Sequence, residues 1–365
     1  MANKNKIILT GGGTLGSVMP LIALYQELIK QGNPTDNFLW VGTQTGPEKD
    51  FIDKYQLKFQ AINSGKLRRY FSWQNILDFL YLIIGFIESL VIILDFKPNL
   101  IISAGGFVSV PLVWAARLGG KKIIIHQQDL RPGLANKLMA PAANKITVTF
   151  EKSLNDFDKS KAVWTGNPLR EEITKTNDRR PITDDFKKFN LVEDKPVLLV
   201  LGGGTGAMSL NKIIIDSLPE LLNYCQIIHL TGKGKLIPRE NFSGYRAYQF
   251  LNEELPLVMK LANVVISRAG MSALTELSYL GKPTVVIPIP NSHQEDNAEY
   301  FAEREAAIYL KQKDLTKHKL IDVIKDLFEN KEKRERLGNN FRDSIKQGAN
   351  EGYINEIKVL LAKSM

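Results

Sequence analysis

Apolar positions along the chain fall into two kinds of segment. Short runs at residues 6–10, 39–42, 100–103, 122–126, 197–201, 227–231, 264–267 and 284–288 alternate with longer stretches of amphipathic, helical spacing. Within the runs the apolar residues follow one another without a two-residue period, as in Ile7-Ile8-Leu9 and Val197-Leu198-Leu199-Val200-Leu201. Strands of that composition are covered on both faces. Covered strands separated by helices predict βαβ units, and hence an α/β fold of doubly wound parallel sheets.

The alternation contains an internal echo. A strand, then Gly-Gly-Gly-Thr, then a helix occurs at residues 11–14 and again at 202–205. Each reads as the first strand-to-helix turn of its own sheet. Between them runs a polar, proline-marked stretch from Gly166-Asn167-Pro168 to Pro181-Ile182-Thr183-Asp184. The 365 residues suit two domains at about 150 residues each. The expected organisation is an N-terminal Rossmann-like domain over 1–165, a linker over 166–189 and a C-terminal Rossmann-like domain over 190–349. A last helix, about 350–365, is expected to pack back on the first domain.

Charge narrows the partners. A formal charge of +9, from 48 basic and 39 acidic residues, suits an anionic partner such as nucleic acid, a phospholipid surface or a phosphorylated substrate. No helix-turn-helix, RNP or zinc signature accompanies it, so nucleic acid is not expected. The single cysteine, Cys225, allows no intramolecular disulfide and reads as a small buried apolar residue in a reducing compartment. The four histidines, His126, His229, His293 and His318, lack metal-ligand spacing, and no metal site is expected. The apolar run at residues 7–9 stops at Thr10-Gly11, short of the roughly 7–15 residues of a signal-peptide core, so the chain is expected to stay inside the cell.

The most apolar window, residues 77–96, approaches the length of about 20 residues that spans a bilayer. It carries Asp78, Glu88 and Asp95, whose carboxylates oppose burial in lipid. Just upstream, Lys66, Arg68 and Arg69 stand among Tyr70, Phe71 and Trp73. Cations for lipid phosphates followed by an apolar face make an interfacial patch. A core helix behind a solvated basic loop fits the same residues.

Candidate chemistry lies at the strand ends. Gly11-Gly12-Gly13-Thr14-Leu15-Gly16 follows a strand, with Pro20 suited to the start of the next helix. Glycines there leave amide N–H groups and a helix dipole pointing outward, a phosphate-binding device, although such turns also serve simply as tight turns. Gly11, Gly13 and Gly16 stand at GxGxxG spacing but without the placed acidic residue of that fingerprint, and the lysine of a P-loop is missing. Gly202-Gly203-Gly204-Thr205-Gly206-Ala207 repeats the device, and Ala104-Gly105-Gly106-Phe107-Val108-Ser109 is a third case. His126-Gln127-Gln128-Asp129 ends a strand, where α/β proteins bind ligands. His126 equally fits a structural hydrogen bond, and Asp129 a helix cap. Ser267-Arg268-Ala269-Gly270-Met271 passes from strand to helix, and Glu276 in that helix could accept both hydroxyls of a ribose.

Taken in order, LTGGGTLGSVMP, GKLRRYFS, AGGFVSVP, IHQQDLRPGLANK, TGNPLR, LGGGTGA, ISRAGMSALTELSYLGKP and HQEDNA resemble the MurG family along nearly the whole chain. That resemblance implies the GT-B architecture, two Rossmann-like domains facing a cleft. It implies inverting transfer of N-acetylglucosamine from UDP-N-acetylglucosamine to undecaprenyl-pyrophosphoryl-N-acetylmuramyl-pentapeptide, lipid I to lipid II, in peptidoglycan synthesis. No cofactor or obligatory metal is implied, and the place of action is peripheral, on the anionic cytoplasmic face of the cell membrane. Carried over by motif, Glu276 holds the donor ribose within a segment Met271, Ser272, Ala273, Leu274 and Thr275. Leu251 meets the uracil, Gly204 and Arg170 the donor phosphates, and Gln294 the sugar. Thr14, Leu15, Gly16 and Asp129 lie near the transferred group. Gly12, Gly13, Gly105 and Gly106, with Lys66, Arg68 and Arg69, are the candidates for the acceptor pyrophosphate and the membrane.

The chain departs from the family pattern at the centre. Ser17 stands where the family usually has histidine, Gln127 and Asp129 replace the glutamate and asparagine of His-Glu-Gln-Asn, and Gly204 replaces a serine. An acceptor hydroxyl needs a base, and the expectation is that Asp129 supplies it while Ser17 and His126 orient the acceptor. Two other readings stay open: a UDP-sugar transferase with another lipid acceptor such as diacylglycerol, and a UDP-sugar-binding protein with impaired catalysis.

Overall fold

A computed structural model describes residues 5–65, 74–175, 182–203, 206–235 and 242–362. The chain divides into two compact units, Met1–Arg170 with Lys346–Met365, and Glu171–Ile345. The first unit therefore takes back the C-terminus after the second is complete.

The first unit holds strands β1 (Ile7–Thr10), β2 (Phe38–Thr43), β3 (Lys58–Ile62), β4 (Leu100–Ser103), β5 (Lys122–Gln127), β6 (Lys145–Val148) and β7 (Ala162–Trp164). Its helices are α1 (Met19–Lys30), α2 (Glu48–Ile52), α3 (Gln74–Phe96), α4 (Ser109–Leu118) and α5 (Leu134–Met139). The strands form one parallel sheet in the order β3-β2-β1-β4-β5-β6-β7. Successive side chains of a strand point to opposite faces, and both faces are used here. Ile7 and Leu9 of β1 join Phe38, Trp40 and Ile102 in a core with α1. Ile8, with Leu39, Val41, Ile101 and Ile123, joins a core on the other side with Ile92 and Ile93 of α3, Leu112 and Val113 of α4 and Met139 of α5.

The second unit opens with α6 (Glu171–Thr174) and α7 (Ile182–Lys188), so part of the stretch expected as linker is helical. Strands β8 (Val197–Leu201), β9 (Gln226–Leu230), β10 (Tyr245–Tyr248), β11 (Val264–Ser267), β12 (Thr284–Val286) and β13 (Ile308–Tyr309) follow. They form a parallel sheet in the order β10-β9-β8-β11-β12-β13. Helices α8 (Met208–Leu221), α9 (Leu255–Leu261), α10 (Met271–Tyr279), α11 (His293–Ala302), α12 (Lys317–Glu329) and α13 (Lys331–Asp343) complete it. Leu210, Ile214 and Leu218 of α8 and Leu320, Ile324 and Leu327 of α12 pack on Leu198, Val200, Val264 and Ile266.

The last helix, α14 (Ala349–Ala362), belongs to the first unit, where Tyr353, Ile354, Ile357 and Leu360 enter the core shared with β1 and α1.

The apolar window expected near residues 77–96 is α3, and Glu88 explains how it sits. Its carboxylate accepts from Asn63 N at 2.6 Å and Asn63 Nδ2 at 2.7 Å. A Cβ at Gly85 would strike Asn63 O, so the helix passes the end of β3 at backbone contact distance. Ser89 satisfies its hydroxyl on Gly85 O at 2.6 Å. The opposite stripe, Leu80, Ile84, Ile87, Val91 and Leu94, is exposed, the last three by 56%, 60% and 72%. Among the described residues no helix is long and apolar enough to cross a membrane.

Candidate functional site

In each sheet the strand order reverses beside the first strand, between β1 and β4 and between β8 and β11. Connections leave in opposite directions at such a point and open a crevice at the carboxyl ends of the strands. The glycine turns lie there. In the first unit, the turn after β1 and the turn after β4 touch backbone to backbone: a Cβ at Gly106 would come within 2.9 Å of Gly12 O and 3.2 Å of Gly12 N. Gly106 has φ 94° and Gly13 φ 79°, a region that side-chain-bearing residues rarely enter. Gly11 O accepts from Trp40 Nε1 at 3.2 Å. The Gly13 amide donates to Glu48 Oε2 at 3.1 Å, and the Gly105 amide to Ser103 Oγ at 3.1 Å. Gly13 and Gly105 were expected to offer amides to a pyrophosphate; both amides are instead engaged within the chain, Gly13 by the Glu48 carboxylate from α2 and Gly105 by the Ser103 hydroxyl two residues back.

Two further expectations change. Ser17 is buried, its Oγ packed against Gly11 rather than directed outward and without a hydrogen-bond partner among the described residues. His126 is wholly buried, with Nδ1 at 2.9 Å from Thr147 Oγ1, Nε2 at 2.9 Å from Asn167 Oδ1, and its ring 5.6 Å from that of Tyr353. Burial pushes its pKa down to about 4, against the opposing effect of those hydrogen bonds. Asn167 Oδ1 only accepts, so Nε2 carries the proton and Nδ1 accepts from Thr147. A histidine with both nitrogens committed takes no acceptor proton. It ties β5 to β6, the 165–168 segment and α14 instead. Asp129, two residues beyond β5, is partly exposed, and its backbone O is held by Gln127 Nε2 at 2.7 Å. Gln127 Oε1 in turn accepts from Asn136 Nδ2 at 2.6 Å. The loop carrying Asp129 is thus fixed from the strand end, with Gln127 in a structural part.

In the second unit, β11 ends at Ser267 and α10 begins at Met271 with Gly270, which has no side chain to cap the helix, at its N-cap. Met271, Thr275 and Glu276 are buried, and Thr275 Oγ1 donates to Met271 O at 2.6 Å. Gln294, in the first turn of α11, lies with Nε2 3.9 Å from a Cβ built on Gly270, so the sugar candidate and the α10 N-terminus meet. Asn297 Nδ2 donates to Ala269 O at 3.1 Å and joins α11 to the same turn. Arg268 crosses the switch point. Its guanidinium donates to Ile287 O, Pro288 O and Ser209 Oγ at 2.9, 3.1 and 3.3 Å, and Gly203 packs over its side chain. Lys235 Nζ donates to Gly206 O at 3.1 Å. Leu251 is buried just past β10, and the preceding Phe250 is exposed.

The candidates divide between the units. Thr14, Leu15, Gly16, Asp129 and Arg170 stand on the first, and Leu251, the α10 segment and Gln294 on the second. Gly204, Lys66, Arg68 and Arg69 lie outside the described residues. No motif points to Glu48; its signal is Gly12 and Gly46, whose absent side chains make room for it, and the sequence shows these only as glycines. Arg268 lies in the strand-to-helix motif after β11, but its bonds to Ile287 O, Pro288 O and Ser209 Oγ are not legible there. Among the described residues no three His, Cys, Asp or Glu side chains gather into a group able to hold a metal ion.

The glycosyltransferase family 28 N-terminal domain matches residues 7–148, and the family's C-terminal domain residues 197–351. The UDP-N-acetylglucosamine–N-acetylmuramyl-(pentapeptide) pyrophosphoryl-undecaprenol N-acetylglucosamine transferase of Clostridium tetani is 40% identical over 335 residues, 90% of this chain and 92% of that protein. A Bacillus cereus transferase of the same name, numbered 2, is 39% identical over 90% of this chain and 92% of its own. In fold, the crystal structure of Acinetobacter baumannii MurG superposes with a TM-score of 0.71 at 22% identity, over 97% of this chain and 99% of that one. A UDP-GlcNAc 2-epimerase from Neisseria meningitidis superposes at 0.69 with 15% identity, over 98% and 99%, so the fold alone does not select a reaction. Identity sustained at this level through both domains does, and the chain, two Rossmann-like domains of the GT-B fold, belongs to the MurG family of glycosyltransferases within glycosyltransferase family 28.

Proposed function

We propose that the protein transfers N-acetylglucosamine, with inversion, from UDP-N-acetylglucosamine to undecaprenyl-pyrophosphoryl-N-acetylmuramyl-pentapeptide, in peptidoglycan synthesis at the cytoplasmic face of the membrane. The observation that carries the reading is the 40% identity over 90% of the chain to a transferase named for that reaction. An acceptor hydroxyl oxygen bonds to the sugar's C1 as the bond from C1 to the phosphate oxygen breaks. UDP leaves with the bonding electrons, and the hydroxyl proton passes to a base. Asp129 takes that proton: Ser17 is buried beneath its own turn, His126 is buried with both ring nitrogens committed, and Gln127 is no base. Charge developing on UDP is met by the positive end of the α10 helix dipole and by Arg170, with no metal required. Glu276 and Gln294 hold ribose and sugar, and Leu251 meets the uracil. The exposed stripe of α3, with Lys66, Arg68 and Arg69 upstream, rests on the anionic leaflet.

Purified full-length protein, incubated with radiolabelled UDP-N-acetylglucosamine and either the lipid-linked muramyl pentapeptide or diacylglycerol, tests this. Label in the disaccharide lipid is expected. Label in a diacylglycerol glycolipid, or donor binding by calorimetry with no product from either, overturns it.

A further inference from the structure

A carboxylate occupies the place at the first glycine turn where a phosphate would be looked for. Glu48, the first residue of α2, is fully buried. Its Oε1 accepts from Thr43 N at 2.7 Å and from Thr43 Oγ1. Its Oε2 accepts from Gly13 N at 3.1 Å. The carboxylate accepts all three hydrogen bonds and donates none. A Cβ at Gly12 or at Gly46 would run into it, so both glycines are where they are to admit it. Thr43 Oγ1 also accepts from Gly46 N at 2.9 Å, which closes the β2–α2 loop around the same group.

Outward-pointing amides make such turns anion sites. Here the Gly13 amide already has its anion, supplied by the chain and buried. A second anion brought to the turn would stand beside a carboxylate in a medium of low effective dielectric, where like charges repel strongly. A hydroxyl meets no such repulsion. In the turn after β4 the Gly105 amide is likewise spent, on Ser103 Oγ.

We propose that Glu48 is a positioning residue that makes the first glycine turn a seat for an uncharged, hydroxyl-bearing part of the acceptor, its sugar, and excludes the acceptor pyrophosphate from that turn. The inference rests on the transferase reading above for the identity of the acceptor, but its physical content, a turn closed to anions, does not depend on turnover.

Amide hydrogen exchange of the full-length protein, read by mass spectrometry on the peptide covering residues 11–18, separates the two. With UDP saturating the donor domain, inorganic pyrophosphate should leave that peptide's exchange unchanged in the wild type. In Glu48→Gln one oxygen of the acceptor pair becomes an NH2 donor facing donors, and the peptide should exchange about tenfold faster or more, as expected for loss of a hydrogen bond to a charged group. Pyrophosphate should then slow it. Kinetically, Glu48→Gln should raise the acceptor KM at least fivefold and leave the Kd for UDP-N-acetylglucosamine within twofold, a split that general loosening would not give. Protection of the wild-type peptide by pyrophosphate, or unchanged exchange in Glu48→Gln, overturns the proposal. If Glu48→Gln does not fold, Thr43→Val, which removes one donor and keeps the carboxylate, should speed exchange of the peptide and keep it blind to pyrophosphate; protection by pyrophosphate there counts equally against it. A wild type that binds donor but transfers nothing would sink the transferase reading while leaving the exchange result to judge Glu48.

Discussion

Asp129 and Glu276 are both carboxylates at strand-to-helix connections, and their surroundings assign them different work. Asp129 is partly exposed on a loop held rigid through Gln127 and Asn136. Glu276 is buried in the body of α10, about one turn and a half from its N-terminus. Asp129→Asn should lower kcat by roughly 10²–10⁴-fold, the range for loss of a general base, with donor affinity unchanged. Glu276→Gln should do the reverse, weakening UDP-N-acetylglucosamine about tenfold for the loss of hydrogen bonds to a charged acceptor. Steady-state kinetics beside donor calorimetry reads both. Near-full turnover in Asp129→Asn would remove it from the chemistry. At this scale the sequence is only partly legible. Glu276 stands out by its place in a strand-turn-helix motif. Ser17 and His126 do not betray that one packs under its own turn and the other is sealed between Thr147 and Asn167, because those contacts join residues up to 41 positions apart.

Helix α3 shows how an element carries two faces. Gly85, Phe86, Ser89, Ile92 and Ile93 pack inward, and Glu88 is consumed by Asn63, so the carboxylate that argues against a membrane span is used to fasten the helix to β3. Ile84, Ile87, Val91 and Leu94 recur every three or four residues on the outward side and stay exposed, and α4, which packs against α3, leaves Trp114 and Leu118 exposed as well. Burying one such side chain in the lipid interface is worth up to about 1.5–3 kcal/mol. The double substitution Ile87→Glu with Leu94→Glu should therefore weaken binding to anionic phospholipid vesicles on the order of a hundredfold. Both positions are exposed, so the thermal midpoint should stay within a few degrees. Vesicle sedimentation measures the first, and equal binding would separate α3 from the membrane. Eight strands, β1, β2, β4, β5, β8, β9, β11 and β12, are legible as short apolar runs, whereas β3, β6, β7, β10 and β13 stand at or near the sheet edges and carry shorter or more polar sequences such as Tyr245-Arg246-Ala247-Tyr248. The return of α14 to the first unit was reached only by likeness to other two-sheet proteins, since nothing in its own spacing says which core receives Tyr353 and Ile357.

At the scale of the whole molecule, each unit buries a neutral histidine in the same manner. His126 lies against Thr147 and Asn167, and His229 against Tyr245 and Asn211, the latter with Nδ1 and Nε2 at 3.0 and 3.1 Å. Burial pushes both down to about 4 from an ordinary value of 6.5. Unfolding restores the ordinary value, so between pH 6.5 and about 4 the unfolded chain binds more protons than the folded one, and stability falls as the pH falls through that window. The dependence fades within about one pH unit above the ordinary value of 6.5, and the loss is complete within about one unit below 4. Over the full window each is worth roughly 3 kcal/mol, and about 2 kcal/mol by pH 5. The units are separable by spectroscopy. All four tryptophans, Trp40, Trp73, Trp114 and Trp164, precede Arg170, so their fluorescence follows the first unit alone, while far-ultraviolet dichroism follows both. Urea unfolding at pH 7 and pH 5 should show both signals shift to lower urea at the lower pH. His126→Gln should cost stability at pH 7 yet remove about 2 kcal/mol of the pH 7 to pH 5 difference from the tryptophan signal. The dichroism change belonging to the second unit should keep its own. A tryptophan transition in His126→Gln that remains as pH-sensitive as the wild type's would mean that His126 does not carry the acid sensitivity of the first unit.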